Sequence, residues 1–217
     1  MPVSVIDWLR YFAVCMLIPA VAGYFCGGVN GAILISKYFF KEDVRSRGSG
    51  NAGLTNFFRN YGGRYAALVI VLDVLKMVAA VVIACLFMGW TIEAKLWGGL
   101  WCIVGHMFPA LYQFKGGKGI LSGGALALMV DWRVALVVWG GFVLLVLLTH
   151  YVSLGSVWAG SSFPFINWYC FPHQPVVIAL SFVIGALVVW QHRSNIRRLL
   201  SGTENKLHLR RRKEGQA

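Results

Sequence analysis

The sequence has few acidic side chains, with eight aspartates and glutamates among 217 residues against 20 lysines and arginines. None of the eight falls within residues 44–72 or 94–130, although both stretches are rich in glycine and cations. A Ser-His-Asp hydrolase and a magnesium-dependent phosphotransferase both need carboxylates in the site, so these gaps argue against both classes. The gaps favour a site for an anion, because a carboxylate would repel a negatively charged ligand.

Several common sequence signatures are also missing. No GxSxG occurs, which is a further argument against a serine hydrolase. No zinc-finger spacing or aromatic RNA-binding motif occurs either, so the net charge of +12 does not indicate nucleic-acid binding. The five cysteines are scattered without a CxxC pair, which predicts small buried hydrophobes; neither a metal site nor a cofactor is expected. The N-terminus lacks a cationic region and a small-residue cleavage site, so no signal peptide is predicted.

Charged residues of either sign are scarce, at 13% of the chain, whereas 58% are hydrophobic and the mean hydropathy is +0.67. This composition predicts an all-α integral membrane protein, because a soluble domain of this length needs more charge on its surface. Pro19 and the Gly27-Gly28 pair predict a kink in the first of seven apolar segments, and the sixth segment has the weakest pattern. The seven predicted transmembrane helices cover about 11–35, 65–89, 96–113, 119–130, 134–150, 154–171 and 175–191.

The distribution of lysine and arginine predicts the orientation of these helices. With seven crossings and a cytoplasmic C-terminus, 16 cations fall in cytoplasmic segments and three fall outside. The positive-inside rule therefore favours an outside N-terminus and a cytoplasmic C-terminus. The basic tail at 207–217 is expected to lie near anionic membrane lipids. Within the second helix, Asp73 and Lys76 are three residues apart and are predicted to pair inside the bundle.

In this topology three unusual polar segments share the cytoplasmic side. They read RSRGSGNAGLTNFFRNYGG (45–63), GHMFPALYQFKGGKG (105–119) and HRSNIRRLLSGTE (192–204). Glycine lets successive backbone N–H groups point at one anion, and lysine and arginine bind phosphate oxygens. KGGKG is not a Walker A motif, because Ile120 stands where a serine or threonine would bind magnesium. Cations in such loops can also serve only to set orientation, but three converging segments predict a site for an anionic substrate.

Together these motifs closely resemble those of the bacterial acyl-phosphate:glycerol-3-phosphate acyltransferase family (PlsY), over about residues 20–206. The resemblance implies a single seven-helix domain at 1–206 in the bacterial inner membrane, with its active site facing the cytoplasm. It implies transfer of a fatty acyl group from acyl phosphate to the 1-hydroxyl of glycerol 3-phosphate, giving lysophosphatidic acid and inorganic phosphate. It also implies functional coupling to the enzyme that makes acyl phosphate.

The resemblance carries site residues onto this sequence by motif. The residues expected to act in catalysis are Ser49, Arg59, Lys118 and His192. Those expected to bind substrate are Asn51, Asn56, His106, Lys115, Gly116, Gly117, Gly119, Ser153 and Asn195. From their chemistry, the backbone N–H groups of the three glycines are expected to stabilise the carbonyl oxygen. Arg45 and Arg47 are interpreted as orientation charges.

The sequence departs from the family pattern at three places. It has GLTN at 53–56 where the family usually has GATN, and GKGILS at 117–122 where the family usually has GKGVAT. GGVNGAILISK at 27–37 lacks the family's usual GSIPFG. These changes bear on acyl-chain fit and helix packing more than on the reaction.

Two questions stay open at this level. A transporter of phosphate or a small organic anion also uses cations between helices, although the chain has no convincing internal repeat. His106 and His192 are the nearby candidates for a general base, but neither has a carboxylate beside it in sequence. The resemblance implies that a phosphate oxygen of glycerol 3-phosphate accepts the proton, and we hypothesise that no side chain is an essential base.

Overall fold

The computed structural model describes residues 4–207, and every regular element within that range is helical. The all-α prediction is therefore confirmed, and each predicted apolar segment contains a helix. Residues 208–217, which hold most of the predicted basic tail, lie outside the described residues. The helices are α1 (Val5–Tyr11), α2 (Ile18–Gly28), α3 (Gly31–Phe40), α4 (Leu54–Tyr61), α5 (Gly63–Met88), α6 (Ile92–Met107), α7 (Ile120–Val130), α8 (Trp132–Thr149), α9 (Val152–Cys170), α10 (Pro175–Gln191) and α11 (Arg193–Leu200).

Within residues 4–207, three helical stretches are long and apolar enough to cross a membrane. They are Val5–Phe40, Gly63–Met88 and Trp132–Thr149. Helices α10 and α11 meet at 56° and would make a fourth if they form one broken span. The predicted number of seven crossings, and the orientation, stay predictions.

The regular helix of the first apolar segment is interrupted at two places. A π-helical turn at Phe12–Leu17 joins α1 to α2 just before Pro19, whose ring and missing N–H disturb the regular helical ladder. A second break follows the Gly27-Gly28 pair, and Asn30 then caps α3 by accepting a hydrogen bond from the N–H of Ile33 at 3.0 Å. The side-chain amide of Asn30 also donates to the carbonyl of Ala52 at 3.0 Å, which ties this break to the first polar segment.

The third segment ends earlier than predicted, at Met107 instead of residue 113. Pro109 explains the difference, because proline disfavours the helical conformation in the residue before it and cannot donate a backbone hydrogen bond. The chain then folds back, and the N–H groups of Gly116 and Gly117 donate to the carbonyls of Met107 and His106, each at 3.1 Å. This reversal brings Lys118 beside the end of α6.

Glycines set the contact between α2 and α6. A side chain at Gly27 would collide with the carbonyl of Cys102, and a side chain at Gly105 would collide with the carbonyl of Tyr24. The two helices therefore touch backbone to backbone, a packing that only small residues permit in membrane proteins. This contact holds the end of α6, which carries His106.

Two short helices, α4 and α11, lie within polar segments where no helix is predicted. Helix α4 buries Phe57 against the neighbouring helices and exposes Arg59, while Asn195 is the buried residue of α11. Both helices are too short to be stable alone, so their packing against the bundle fixes them. They carry the polar side chains of the first and third segments to the site.

Candidate active site

The three polar segments meet at one cavity of about 660 Å³. Its wall includes the loop at 49–56, the start of α7, the start of α9, the junction of α10 and α11, and residues 204–205. Ten of the thirteen predicted site residues line it: Ser49, Asn51, Asn56, Arg59, His106, Lys118, Gly119, Ser153, His192 and Asn195. The structure thus brings together segments that are far apart in the sequence.

Three predicted residues stand apart from the cavity wall. The side chain of Lys115 is exposed, and its backbone carbonyl accepts a hydrogen bond from Arg45 at 3.0 Å. The N–H groups of Gly116 and Gly117 are already bonded to carbonyls, so they are not free to bind a substrate oxygen. Gly117 instead packs against the ring of His106, where a side chain would collide. These glycines are needed for a close backbone approach.

Asn56 lines the cavity, but its amide is occupied by the loop that precedes it. The Nδ2 group donates to the carbonyls of Val44, Arg47 and Asn51, each at 3.1 Å, and Oδ1 accepts from the N–H of Ser49 at 3.0 Å. Because Asn56 is buried, these bonds fold the loop around it. Its role in the structure is to shape the loop that presents Ser49.

The arginines of the first segment divide into two groups. Arg47 forms an exposed ion pair with Glu42 at 2.9 Å, and Arg45 pairs with Asp43 at 2.8 Å. Arg59 reaches the cavity, and one of its NH groups donates to the carbonyl of Asn205 at 3.2 Å. Within residues 4–207, Arg59 has no carboxylate at ion-pair distance, so its charge is available to an anion. This geometry agrees with the distinction made from sequence.

Lys118 is the cation of the second segment that faces the cavity. Its Nζ donates a hydrogen bond to Oδ1 of Asn195 in α11. Burial lowers the pKa of Lys118 from 10.5 to about 8, with a smaller contribution in the same direction from Arg198 and an opposing one from Glu204. The ammonium is therefore charged at neutral pH and partly withdrawn from water.

In the third segment, His192 lies at the junction of α10 and α11 and is buried. Its Nδ1 is 2.8 Å from the carbonyl oxygen of Val188. Burial lowers the pKa of His192 to about 4, although the bond to Val188 acts in the opposite direction. The ring is therefore uncharged at neutral pH.

The cavity contains two carboxylates that the sequence gaps did not predict. Asp73 pairs with Lys76 at 2.7 Å inside the bundle, which confirms the predicted ion pair. Glu204 accepts hydrogen bonds from Asn195 at 2.8 Å and from Arg198 at 2.7 Å. Burial acts to raise the pKa of Glu204, but these two donors, together with the nearby Ser153 hydroxyl, outweigh it and the pKa is lowered. Each carboxylate is thus neutralised by its own cation.

Positive charge outweighs negative charge at the polar end of the cavity. Helices α4, α7 and α9 begin at its wall, and the first turn of a helix offers N–H groups without intrahelical partners and the positive end of the helix dipole. Three arginines that were not singled out from sequence, Arg193, Arg197 and Arg198, also line it. They belong to the third segment, as does Glu204, so membership of that motif was the available signal.

The remaining wall is apolar. It consists of side chains from α7, α8 and α9, namely Ile120, Leu121, Trp139, Phe142 and Val152. Ser153 lies between the two regions, and its buried hydroxyl is near the carboxylate of Glu204 but forms no hydrogen bond of standard geometry within residues 4–207. In the same described range, no cluster of three histidine, cysteine or acidic side chains is placed to hold a metal ion. The cavity can therefore hold a molecule that is anionic at one end and apolar at the other.

The chain is similar to known proteins over nearly its whole length. The family model for glycerol-3-phosphate acyltransferase matches residues 17–202. A glycerol-3-phosphate acyltransferase of Thermoanaerobacter pseudethanolicus is 39% identical over 191 residues, covering 88% of this chain and 95% of the relative. One from Rhodopseudomonas palustris is 38% identical over 187 residues, covering 86% of this chain and 93% of the relative.

Two crystal structures share the fold. The glycerol 3-phosphate form of PlsY (YgiH), an integral membrane glycerol 3-phosphate acyltransferase, is 34% identical, with a TM-score of 0.81 over 89% of this chain and 96% of that chain. The lysophosphatidic acid form of PlsY is 33% identical, with a TM-score of 0.78 over 89% and 95%. These matches confirm the resemblance drawn from the three motifs, and the chain belongs to the glycerol-3-phosphate acyltransferase family.

Proposed function

We propose that this protein transfers a fatty acyl group from acyl phosphate to the 1-hydroxyl of sn-glycerol 3-phosphate, with lysophosphatidic acid and inorganic phosphate as products. The observation that carries the proposal is the cavity, where a cationic region adjoins an apolar wall. Acyl phosphate has a phosphate at its reactive end and a long apolar tail, and glycerol 3-phosphate is a small phosphate ester. The related PlsY crystal structures are of forms with glycerol 3-phosphate and with lysophosphatidic acid.

The cationic region suits the two phosphates. Arg59 offers a planar fork for phosphate oxygens, and the ammonium of Lys118 offers a compact charge. The first-turn N–H groups of α7, which follow Gly119, add neutral donors. Catalysis would then come from holding two reactants together and from stabilising charge on the carbonyl oxygen. We assign Ser49, Asn51, Ser153 and Asn195 to orienting the substrates.

The apolar wall suits the acyl chain. Trp139 and Phe142 of α8 face the cavity together with Ile120 and Leu121 of α7. Burial of methylene groups against such a wall contributes about 0.8 kcal/mol for each CH₂ removed from water. The chain would therefore be held by its tail, while the acyl phosphate end lies among the cations.

The reaction needs no acyl-enzyme, because phosphate is a good leaving group. The 1-hydroxyl oxygen attacks the acyl carbon, the carbon–oxygen bond to phosphate breaks, and the hydroxyl proton passes to a phosphate oxygen of glycerol 3-phosphate. His192 is a weak base, because its pKa is lowered to about 4. Loss of turnover in His192→Ala with unchanged substrate binding, restored at raised pH, would contradict the hypothesis that no side chain is an essential base.

We also propose the membrane setting that the sequence predicts. The domain at 1–206 would cross the bacterial inner membrane seven times, with the cavity facing the cytoplasm and the basic tail at 207–217 near anionic lipids. Acyl phosphate would then come from a cytoplasmic enzyme functionally coupled to this one. Cysteine labelling of single-cysteine variants at residues 47 and 93 in intact cells tests the orientation, because only residue 93 should react with an impermeant reagent.

One assay tests the reaction itself. Purified protein in detergent or nanodiscs is given acyl phosphate and glycerol 3-phosphate, and the products are followed by phosphate release and by mass spectrometry of lysophosphatidic acid. We expect both products in equal amounts, and no transfer when acyl-CoA replaces acyl phosphate. Absence of product, together with uptake of phosphate or glycerol 3-phosphate into liposomes, would instead indicate a transporter.

A further inference from the structure

Lys76 is surrounded by three hydrogen-bond acceptors deep in the bundle. Its Nζ lies 2.7 Å from Oδ1 of Asp73, 3.0 Å from the carbonyl oxygen of Val29 and 2.7 Å from Nδ1 of His106. An ammonium group has three N–H donors and no acceptor. All three donors are therefore used, and the contact with His106 can form only if Nδ1 of that ring accepts.

This contact determines the state of the His106 ring. If Nδ1 accepts from Lys76, Nδ1 carries no proton, so the neutral ring carries its proton on Nε2. If His106 were an imidazolium, its Nδ1–H would face the Lys76 ammonium at 2.7 Å. Two donors cannot form a hydrogen bond with each other, and the two positive charges would repel. Within residues 4–207, Nε2 of His106 makes no hydrogen bond; it packs beside the backbone of Gly117, and the residue lines the cavity.

His192, at the junction of α10 and α11, has the reverse arrangement. Its Nδ1 faces the carbonyl oxygen of Val188 at 2.8 Å, and a carbonyl can only accept. Nδ1 of His192 therefore carries the proton, and Nε2 has the free lone pair. The two histidines of the cavity differ in what they offer a ligand at Nε2, a donor at His106 and an acceptor at His192.

We propose that the buried Asp73–Lys76 pair is a positioning element of the active site, which holds His106 in the neutral Nε2–H tautomer as a fixed donor to an anionic substrate oxygen. This role rests on the proposed acyl transfer. His106 then cannot accept the hydroxyl proton, since Nε2 is already protonated and the lone pair of Nδ1 is occupied by Lys76. Asp73 holds Lys76 and also accepts from the N–H of Gly31 at 3.3 Å, which links the pair to the start of α3.

The position of the pair supports this role. The side chains of Lys76 and Asp73 are 3% and 2% exposed, and a buried ion pair contributes little net stability because both charges lose water. Stability alone is therefore a poor reason for placing two charges here. At metal sites, carboxylates and other groups behind a metal-binding histidine fix its orientation and its tautomer. The Asp73–Lys76 pair makes the same kind of contact with His106.

The tautomer is measured directly, without substrate. The protein is labelled with nitrogen-15 at histidine, and two-bond correlation spectra report which ring nitrogen carries the proton at neutral pH. Spectra of H106N and H192N assign the two rings. We expect His106 as the Nε2–H form and His192 as the Nδ1–H form. An Nδ1–H or doubly protonated His106 would overturn the proposal, whether or not the protein transfers acyl groups.

Removal of the pair tests its positioning role. In the double variant Asp73→Asn with Lys76→Met, no charge is left unpaired in the bundle. We expect the His106 signal to shift towards a mixture of tautomers, and kcat/KM to fall about tenfold or more, the effect of losing one oriented bond to a charged group. An unchanged His106 spectrum in a folded double variant would contradict the proposal.

The donor role is tested at His106 itself. A glutamine amide can place an N–H near the position of Nε2, whereas an asparagine amide reaches only the position of Nδ1. We therefore expect H106Q to retain about tenfold more activity than H106N. Equal losses in two folded variants would contradict a donor at Nε2. If wild-type protein itself shows no acyl transfer, the proposed function fails while the tautomer spectrum still decides the structural claim.

Discussion

Lys118 donates a hydrogen bond to the amide oxygen of Asn195, a contact between side chains that are 77 residues apart in the chain. Asn195 in turn donates to Glu204 at 2.8 Å, and Glu204 accepts from Arg198 at 2.7 Å. The ammonium of Lys118 is thus positioned by a neutral amide, and its charge stays available to a ligand in the cavity. A direct ion pair with Glu204 would have neutralised that charge.

The partly buried position of Lys118 predicts a pH effect on activity. Its pKa is lowered to about 8, so in the free protein the ammonium loses its proton as the pH rises through that value. We expect kcat/KM for glycerol 3-phosphate to fall above about pH 8, because kcat/KM reports groups of the free enzyme. In Lys118→Arg the guanidinium stays charged, and this decline should be absent. An identical alkaline decline in that variant would assign it to another group.

Lys115 and Lys118 offer a matched comparison within KGGKG. Lys115 is exposed and outside the cavity, whereas Lys118 lines it. We expect Lys118→Ala to reduce kcat/KM by about 100-fold or more, the loss of a charged contact in a water-poor site. Lys115→Ala should reduce it less than about threefold. Steady-state phosphate release measures both, and comparable losses would show that the exposed lysine also binds substrate.

Arg59 and Arg47 form a second matched pair. Arg47 is held by Glu42 at the surface, while Arg59 faces the cavity without a carboxylate partner among residues 4–207. We expect Arg59→Ala to abolish nearly all phosphate release. Arg47→Ala should have a small effect, because Arg47 lies in an exposed ion pair, and such pairs contribute only about 0–1 kcal/mol to folding stability. The reverse order of the two losses would refute this division.

Ser153 lines the cavity and its hydroxyl makes no hydrogen bond of standard geometry within residues 4–207, whereas the hydroxyl of the nearby Ser156 donates to the carbonyl of Val152 at 2.9 Å. Ser153→Ala should raise KM for one of the two substrates about tenfold, because a hydrogen bond between the Ser153 hydroxyl and that substrate is lost. Ser156→Ala keeps the same helix and should change KM little. KM values for both substrates, measured separately, show which one the hydroxyl contacts.

Glu204 is expected to stabilise the fold above its own pKa. The pKa of Glu204 is lower in the folded protein than in the unfolded chain, where it is near 4.5. The carboxylate therefore stabilises the fold at pH values above the unfolded pKa, and this stabilisation is lost as the pH falls through the folded pKa. Glu204→Gln should therefore lower the Tm at neutral pH, and the difference from wild type should shrink below about pH 4. A Tm difference that is constant across this range would indicate a packing effect instead.

The sequence predicted helices well where hydrophobicity alone decides, as in the apolar run that forms α5. It predicted their ends less well, because Pro109 ends α6 at Met107 through backbone sterics that a hydropathy pattern does not contain. Helices α4 and α11 were missed for a related reason. They are short and polar, and they exist because Phe57 and Asn195 pack against the bundle, which is a tertiary effect.

The site was predicted at the level of segments and less well at the level of atoms. Composition and motif order predicted that the three polar segments form one site, and the structure places all three at one cavity. Nothing in KGGKG distinguishes Lys115 from Lys118, because the distinction depends on how the chain reverses after Pro109. Likewise, Asn56 resembles a binding residue in sequence, but its amide is used by the loop.

The glycine contact between α2 and α6 has a consequence for how this enzyme family can diversify. Any side chain at Gly27 or Gly105 would force the two backbones apart and displace His106, so neither position can be used to enlarge or reshape the cavity. The apolar wall of α7 and α8 leaves more room for change at a side chain such as Leu121, although Trp139 is held there by close packing on Gly124. Changes in acyl-chain preference, whether selected in nature or engineered, should therefore accumulate on that wall while the glycines stay fixed.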